Sequence, residues 1–172
     1  MTQTTDRQKI TTEVYVKNGI QIELPDEQHA ALQRLFGRYM QVTDADNAAQ
    51  PREKIDQRLR YELGIWNGII FARDQEINRI VGVVTTQREE YKRTTYISAL
   101  VVDEDAERKG IGRILAQTAV AAARQDPATD AIETIPVSVG AKRIFGSKIF
   151  DGQRFTRRPG GAAWQLLIHR RQ

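Results

Sequence analysis

Alternating apolar and polar positions, interrupted by a few turn dipeptides, divide the chain into short elements. Glu13 to Lys17 and Ile20 to Leu24 flank Asn18-Gly19, a pair that tolerates the positive φ angles of a tight turn, so a short N-terminal hairpin is predicted. Pro25-Asp26-Glu27 then opens a helix. Proline's missing N–H is harmless in the first turn, and acids there face the positive end of the helix dipole. Leu32, Leu35, Phe36 and Tyr39 recur at helical spacing and mark its buried face. Gln41 to Gln50 is polar and reads as a loop. Pro51 begins a second helix, with Ile55, Leu59 and Leu63 in a stripe and Gly64 as its C-terminal cap.

Three strand-like runs follow: Ile69 to Arg73, Ile77 to Gln87 and Thr94 to Val102. Their short polar connections favour antiparallel pairing. Gly110 to Arg124 reads as a helix with Ile111, Leu115, Ala119 and Ala122 aligned. Ile132 to Val139 is a strand, Ala141 to Phe150 a short helix, and Phe155 to Arg157 a strand. Pro159-Gly160-Gly161 turns the chain into a last strand, Ala163 to His169. The predicted order is strand, two helices, three strands, helix, strand, helix, two strands. This is a mixed α/β fold, with a polar segment at 1–12 and one domain over 13–172. The third helix crosses between neighbouring strands, which should therefore run parallel.

Composition narrows the chemistry. In 172 residues, 40% hydrophobic and 28% charged positions suit one globular domain with its own core. There is no cysteine, so a thiol nucleophile, a disulfide framework and cysteine-ligated metal sites are excluded. Only His29 and His169 carry imidazole, too few for a multi-histidine metal centre. The polar start lacks a signal-peptide core, and no apolar run approaches the ~20 residues of a membrane span. A soluble cytoplasmic protein that uses no membrane is the expectation. A net charge of +4 suits an anionic ligand or a nucleic acid. The cations are spread out and not interleaved with aromatics, which makes nucleic acid the weaker reading.

The candidate chemistry lies where the third long strand meets the third helix. Asp103-Glu104-Asp105-Ala106-Glu107 leaves the strand, and Arg108-Lys109-Gly110-Ile111-Gly112-Arg113 opens the helix. Glycine lets backbone approach a ligand closely, and a helix start carries unpaired N–H groups and partial positive charge. Together these make an anion site suited to pyrophosphate. A glycine pair after a strand also serves as a plain helix start. The phosphate-loop pattern ending in Gly-Lys-Ser/Thr is absent, and Leu115 stands where the dinucleotide fingerprint has its third glycine.

Leu100-Val101-Val102, the acidic turn and Arg108-Lys109-Gly110-Ile111-Gly112-Arg113-Ile114-Leu115 resemble the acetyl-CoA motif of the GNAT superfamily of N-acyltransferases. The element order resembles that fold from about Ile20 to His169. Val137-Ser138-Val139, Ile149-Phe150 and Phe155 resemble its second cofactor segment. The resemblance implies a mostly antiparallel sheet with a splayed parallel pair, Thr94 to Val102 and Ile132 to Val139. It implies that Leu100 and Val102 pair with the pantetheine arm. It further implies that Arg108, Lys109, Gly110, Ile111, Gly112 and Arg113 hold the pyrophosphate, chiefly by backbone.

Several positions depart from the family pattern. Glu107 stands where Gln or Arg is usual, and should turn to solvent or pair with Arg108 or Arg113. Arg143 stands at an asparagine position, where it would contact a CoA phosphate or lie in solvent. Phe150 replaces a tyrosine that protonates the leaving thiolate. Tyr96 replaces a glutamate base; it is the one candidate catalytic residue, either relaying a proton or packing the cleft.

Other side chains have ordinary readings: His29 at a helix edge, with a substrate contact as its alternative, and His169 at the chain end; Trp66 closes the core and Trp164 packs in the last strand, or either lines the acceptor cleft. Asp44 and Asp46 lie in the first inter-helix loop as solvated acids or amine attractors. Glu133 and Ser138 should face opposite sides of one strand.

The resemblance implies acetyl transfer from acetyl-CoA to a primary amine by direct attack, with no metal. The acceptor is a small molecule or peptide, and a homodimer is compatible. The alternative is a non-catalytic CoA-binding or regulatory module; a basic nucleic-acid-binding domain ranks third.

Overall fold

The computed structural model describes residues 9–43 and 48–168. The elements are β1 (Ile10–Val16), α1 (Asp26–Thr43), α2 (Arg52–Ile65), β2 (Gly68–Asp74), β3 (Arg79–Glu89), β4 (Thr94–Val102), α3 (Ile111–Gln125), β5 (Ala131–Thr134), α4 (Val139–Phe145), β6 (Thr156–Arg157) and β7 (Trp164–Leu167). They build one seven-stranded sheet in the order β1-β2-β3-β4-β5-β7-β6. All neighbours are antiparallel except β4 and β5, which run parallel.

The sheet centre is buried on both faces, which is why β2 and β3 read as nearly continuous apolar runs. Ile70, Ala72, Val81 and Val84 face Ile111, Leu115, Ala119 and Val120 of α3. Ile69, Phe71, Ile80 and Val83 face Leu32, Leu35, Phe36 and Leu59 of the α1–α2 pair. Trp66 closes this second core, fully buried. Ala123 rather than Ala122 completes the buried stripe of α3, continuing the four-residue spacing of Ile111, Leu115 and Ala119 along one face.

The N-terminal hairpin does not form. β1 pairs with β2 from Ile10↔Asp74 to Val16↔Gly68, so the strand begins three residues before Glu13. Ile20 to Leu24 crosses as irregular chain that anchors Ile22 in the core. Gly19 does take a positive φ of 89°, yet its turn leads into α1 rather than back onto β1. An open β2 edge offers seven paired positions, more than a five-residue hairpin arm can. Gly64 is likewise no cap: α2 continues to Ile65, and the Trp66 N–H closes the last turn on the Glu62 carbonyl.

The second half is shorter in strand than its sequence suggests. β5 ends at Thr134, and Pro136, with no N–H to give a ladder, lies in the segment that leaves the sheet. Ser138 is therefore not a strand residue facing away from Glu133. It caps α4, its hydroxyl oxygen accepting the Ala141 N–H at 3.0 Å. α4 ends at Phe145, five residues early, and β7 ends at Leu167. Asp44, Asp46 and His169 lie outside the described residues.

Candidate active site

The cleft exists because two parallel strands part. β4 and β5 pair only from Thr94↔Ala131 to Ile97↔Thr134. Beyond that point β4 continues to Val102 with no strand among the described residues on this side. Its register against β3 jumps from Thr85↔Ala99 to Thr86↔Ile97, which makes Ser98 a bulge residue at the fork. A slot opens there between β4 and the 135–138 segment, with Phe145 of α4 and Tyr39 of α1 in its walls. The free β4 edge offers backbone donors and acceptors to an extended guest, as an open sheet edge does for any added strand.

At its outer end the slot adjoins a groove of about 640 Å³, in the range of sites that bury a small ligand. Leu100, Val102, Ser138 and Ala141 line both spaces. The groove floor is the loop that opens α3. Arg108 and Gly110 take positive φ angles of 62° and 81°, a left-handed pairing around Lys109 that curls successive amides toward one centre. For Arg108 this conformation costs about 1–2 kcal/mol, and strain of that kind gathers at ligand sites. The first backbone bond of the helix runs from the Ile114 N–H to the Gly110 carbonyl at 3.1 Å. The amides of Arg108 through Arg113 donate to no acceptor among the described residues. A Cβ on Gly112 would stand 3.0 Å from Ile144 and 3.7 Å from Val102, filling the cradle. Arg108, Arg113 and Arg143 line this groove with no carboxylate partner among the described residues. Backbone donors, room and unspent positive charge suit a pyrophosphate.

The acidic turn is neutralised from across the sheet. Arg38 of α1 contacts Glu107 at 2.5 Å and Glu104 at 3.2 Å. Arg34 forks onto Asp103 and also donates to the Ile80 carbonyl at 2.7 Å. Arg79 holds Asp105 at 2.6 Å, and this hydrogen bond keeps the Asp105 carboxyl below its ordinary range. Glu107 thus pairs with neither Arg108 nor Arg113. Its partner comes from α1, which leaves the loop arginines available to a ligand.

Two sequence-derived site residues stand elsewhere than the family alignment placed them. Phe150 is buried in an aromatic cluster, 6.2 Å from Phe145 and 5.3 Å from Phe155 between ring centroids, and does not line the slot. Phe145 does, so the aromatic ring that α4 presents to the slot is that of Phe145. The offset arises because α4 ends at Phe145 rather than at Phe150, which leaves Phe150 beyond the helix. Ser138, the cap, reaches the cleft, while Arg143 lies exposed at the groove rim.

Tyr96 lies on β4 directly across from Glu133 on β5. Burial, a hydrogen bond with Glu133 and the charges of Glu133 and Glu89 push its phenol far above the usual range. Glu133 is buried, accepting from Arg158 at 2.8 Å and Gln165 at 2.9 Å. This network ties β4, β5 and the β6–β7 pair together beside the fork. Tyr96 lines neither the slot nor the groove. His29 is half-buried on α1, away from both.

Tyr39 is the slot residue that sequence patterning assigned only to the core. Its hydroxyl lies 3.3 Å from the Ser98 carbonyl at the bulge. Its place at the edge of the α1 stripe, after Phe36, was the available signal.

Solved structures share this architecture. The chain superposes on a GNAT family N-acetyltransferase from Escherichia coli in complex with CoA, with a TM-score of 0.57 and 15% identity, covering 94% of this chain and 83% of that one. A GNAT family acetyltransferase from Brucella melitensis in complex with acetyl-CoA gives 0.57 at 12% identity, covering 94% and 91%. One from Bacillus anthracis gives 0.61 at 12% identity, covering 90% and 98%. At such identities the likeness establishes the fold. No curated protein matches the chain. The sequence model of the acetyltransferase (GNAT) family matches residues 29–145, most of the chain and all of the fork, the loop and α4. With fold, cleft and sequence in agreement, the chain belongs to the GNAT family of acetyltransferases.

Proposed function

We propose that this protein transfers an acetyl group from acetyl-CoA to a primary amine by direct attack. The observation that carries the reading is one continuous path. The free amides of Arg108 to Arg113 open into a groove that leads along the unpaired β4 edge to the fork at Ser98. The family relatives from E. coli and Brucella hold CoA and acetyl-CoA, which supports the same donor here.

Bound acetyl-CoA would supply the thioester. The loop amides, with Arg108, Arg113 and Arg143 beside them, would hold the pyrophosphate. The edge of Leu100 and Val102 would pair with the pantetheine amides, and a backbone N–H at the bulge would polarise the thioester carbonyl. Absence of cysteine suits attack without a covalent enzyme intermediate. The acceptor would be a small-molecule or peptide amine approaching the fork, deprotonated by water or a cleft group.

Incubation with acetyl-CoA and a panel of primary amines, following free thiol and acetylated product, tests the reading. Expected is amine-dependent thiol release with matching N-acetyl product. Tight CoA binding with no product on any amine favours the second reading, a non-catalytic CoA-binding module. That reading has its own support in the bare Phe145 wall.

A further inference from the structure

A departing thiolate needs a proton, and the wall built by α4 offers only the Phe145 ring. The polar side chains around the slot are few. Arg38 and Glu107 are tied to each other at 2.5 Å. The Thr134 hydroxyl is turned to the Ile97 carbonyl at 3.2 Å, and Ser138 caps α4. Aliphatic hydroxyls are in any case much weaker acids than a thiol, whereas a phenol, with pKa about 10, is close to one. Tyr39 is the one phenol lining the slot among the described residues.

Its placement is well defined. Tyr39 enters from α1, on the opposite side from Phe145, with its ring stacked on Phe36 at 5.6 Å and 24°. The hydroxyl meets the Ser98 carbonyl at 3.3 Å, long against the ~2.7–2.8 Å of a settled O–H···O bond. A loosely held proton at the fork can be re-aimed when a better acceptor arrives, and catalytic hydrogen bonds commonly tighten only in the complex.

Resting on the acetyl-transfer reading of this cleft, we propose that Tyr39 is the catalytic residue that protonates the leaving sulfur, so that α1 supplies the acid α4 lacks. As the amine nitrogen bonds to the acyl carbon and the carbon–sulfur bond breaks, the electron pair of that bond goes to sulfur. Tyr39 gives its hydroxyl proton to the sulfur, making the free thiol. The amine's surplus proton leaves to solvent, and the phenolate of Tyr39 regains one from solvent. Burial and the nearby Glu62 charge, partly offset by Arg58, hold the Tyr39 phenol above its usual range, so it carries its proton throughout the neutral region.

The test uses the full chain, its Tyr39→Phe variant and CoA labelled with ¹³C at the carbon bonded to sulfur. The variant keeps the ring and its stack on Phe36, so the fold is retained. A phenol donating to sulfur stabilises the thiolate. The bound thiol should therefore titrate about one pH unit lower in the wild type than in Tyr39→Phe, with CoA affinity unchanged. Acetyl transfer to 2-phenylethylamine, used as a probe amine, should fall about 100-fold or more in kcat in the variant. Equal thiol titration in the two proteins overturns the proposal, whatever the turnover. The thiol shift without wild-type acetylation of any amine upholds the Tyr39 contact while defeating the acetyl-transfer reading.

Discussion

Phe145 and Phe150 show how five residues of offset change a chemical argument. Family resemblance puts the missing proton donor at Phe150. In the structure Phe150 is 2% exposed between Phe145 and Phe155. Phe150→Tyr should bury an unpaired hydroxyl, costing about 1–3 kcal/mol, and bring no gain in transfer rate. Thermal unfolding and the thiol assay check both halves; a rate gain without loss of stability would contradict the placement. The loop residues Arg108 to Arg113 were legible because backbone chemistry needs only glycine spacing and a strand-to-helix junction. Tyr39 was not, since an aromatic residue in a helical stripe reads as core until the opposite wall is known.

At the scale of elements, α1 does more than cover the sheet. Its Arg34 and Arg38 reach the acidic turn that precedes the glycine loop. Sequence showed the carboxylates and could not show these two arginine partners, which lie more than sixty positions away in the chain. Arg38→Ala leaves Glu104 and Glu107 uncompensated beside the groove. CoA affinity should drop about two- to fivefold, the scale of one partly exposed charge interaction. Pantetheine, which lacks the pyrophosphate, should bind both proteins equally, and calorimetric titration separates the two. Equal CoA affinity in both proteins would remove Arg38 from the electrostatics of the site. Element order was fully readable from hydrophobic period and turn residues. The false N-terminal hairpin came from a local turn signal at Asn18-Gly19, overridden by the non-local β1–β2 pairing.

Across the whole molecule, ion pairs fasten the outer strands to the helices. Arg73 of β2 joins Glu13 of β1 at 2.5 Å and Glu27 of α1 at 2.7 Å. Burial works to raise the Glu13 pKa, but hydrogen bonds from Arg73 and Gln28 outweigh it, and the carboxyl sits below its usual range. A carboxylate with a lowered folded-state pKa adds stability above its unfolded value of about 4.3, lost as pH falls through the folded value. Melting temperature should therefore decline below about pH 4, and Glu13→Gln should lower the neutral-pH value while flattening that decline. An unchanged acid slope in the variant would assign the acid sensitivity to other groups.

Fold class and the parallel pair were visible in the sequence. That the pair splays came from the family resemblance; the point where the fork opens was not visible, because it depends on where β5 stops and on the Ser98 bulge. This fork and its loop are expected to receive acetyl-CoA. The most direct measurement is an amide NMR titration with acetyl-CoA. The largest shifts and new exchange protection should fall on Arg108 to Arg113 and on Leu100 and Val102, following the free loop amides and the open β4 edge. Saturable binding that leaves those amides unmoved would contradict the account.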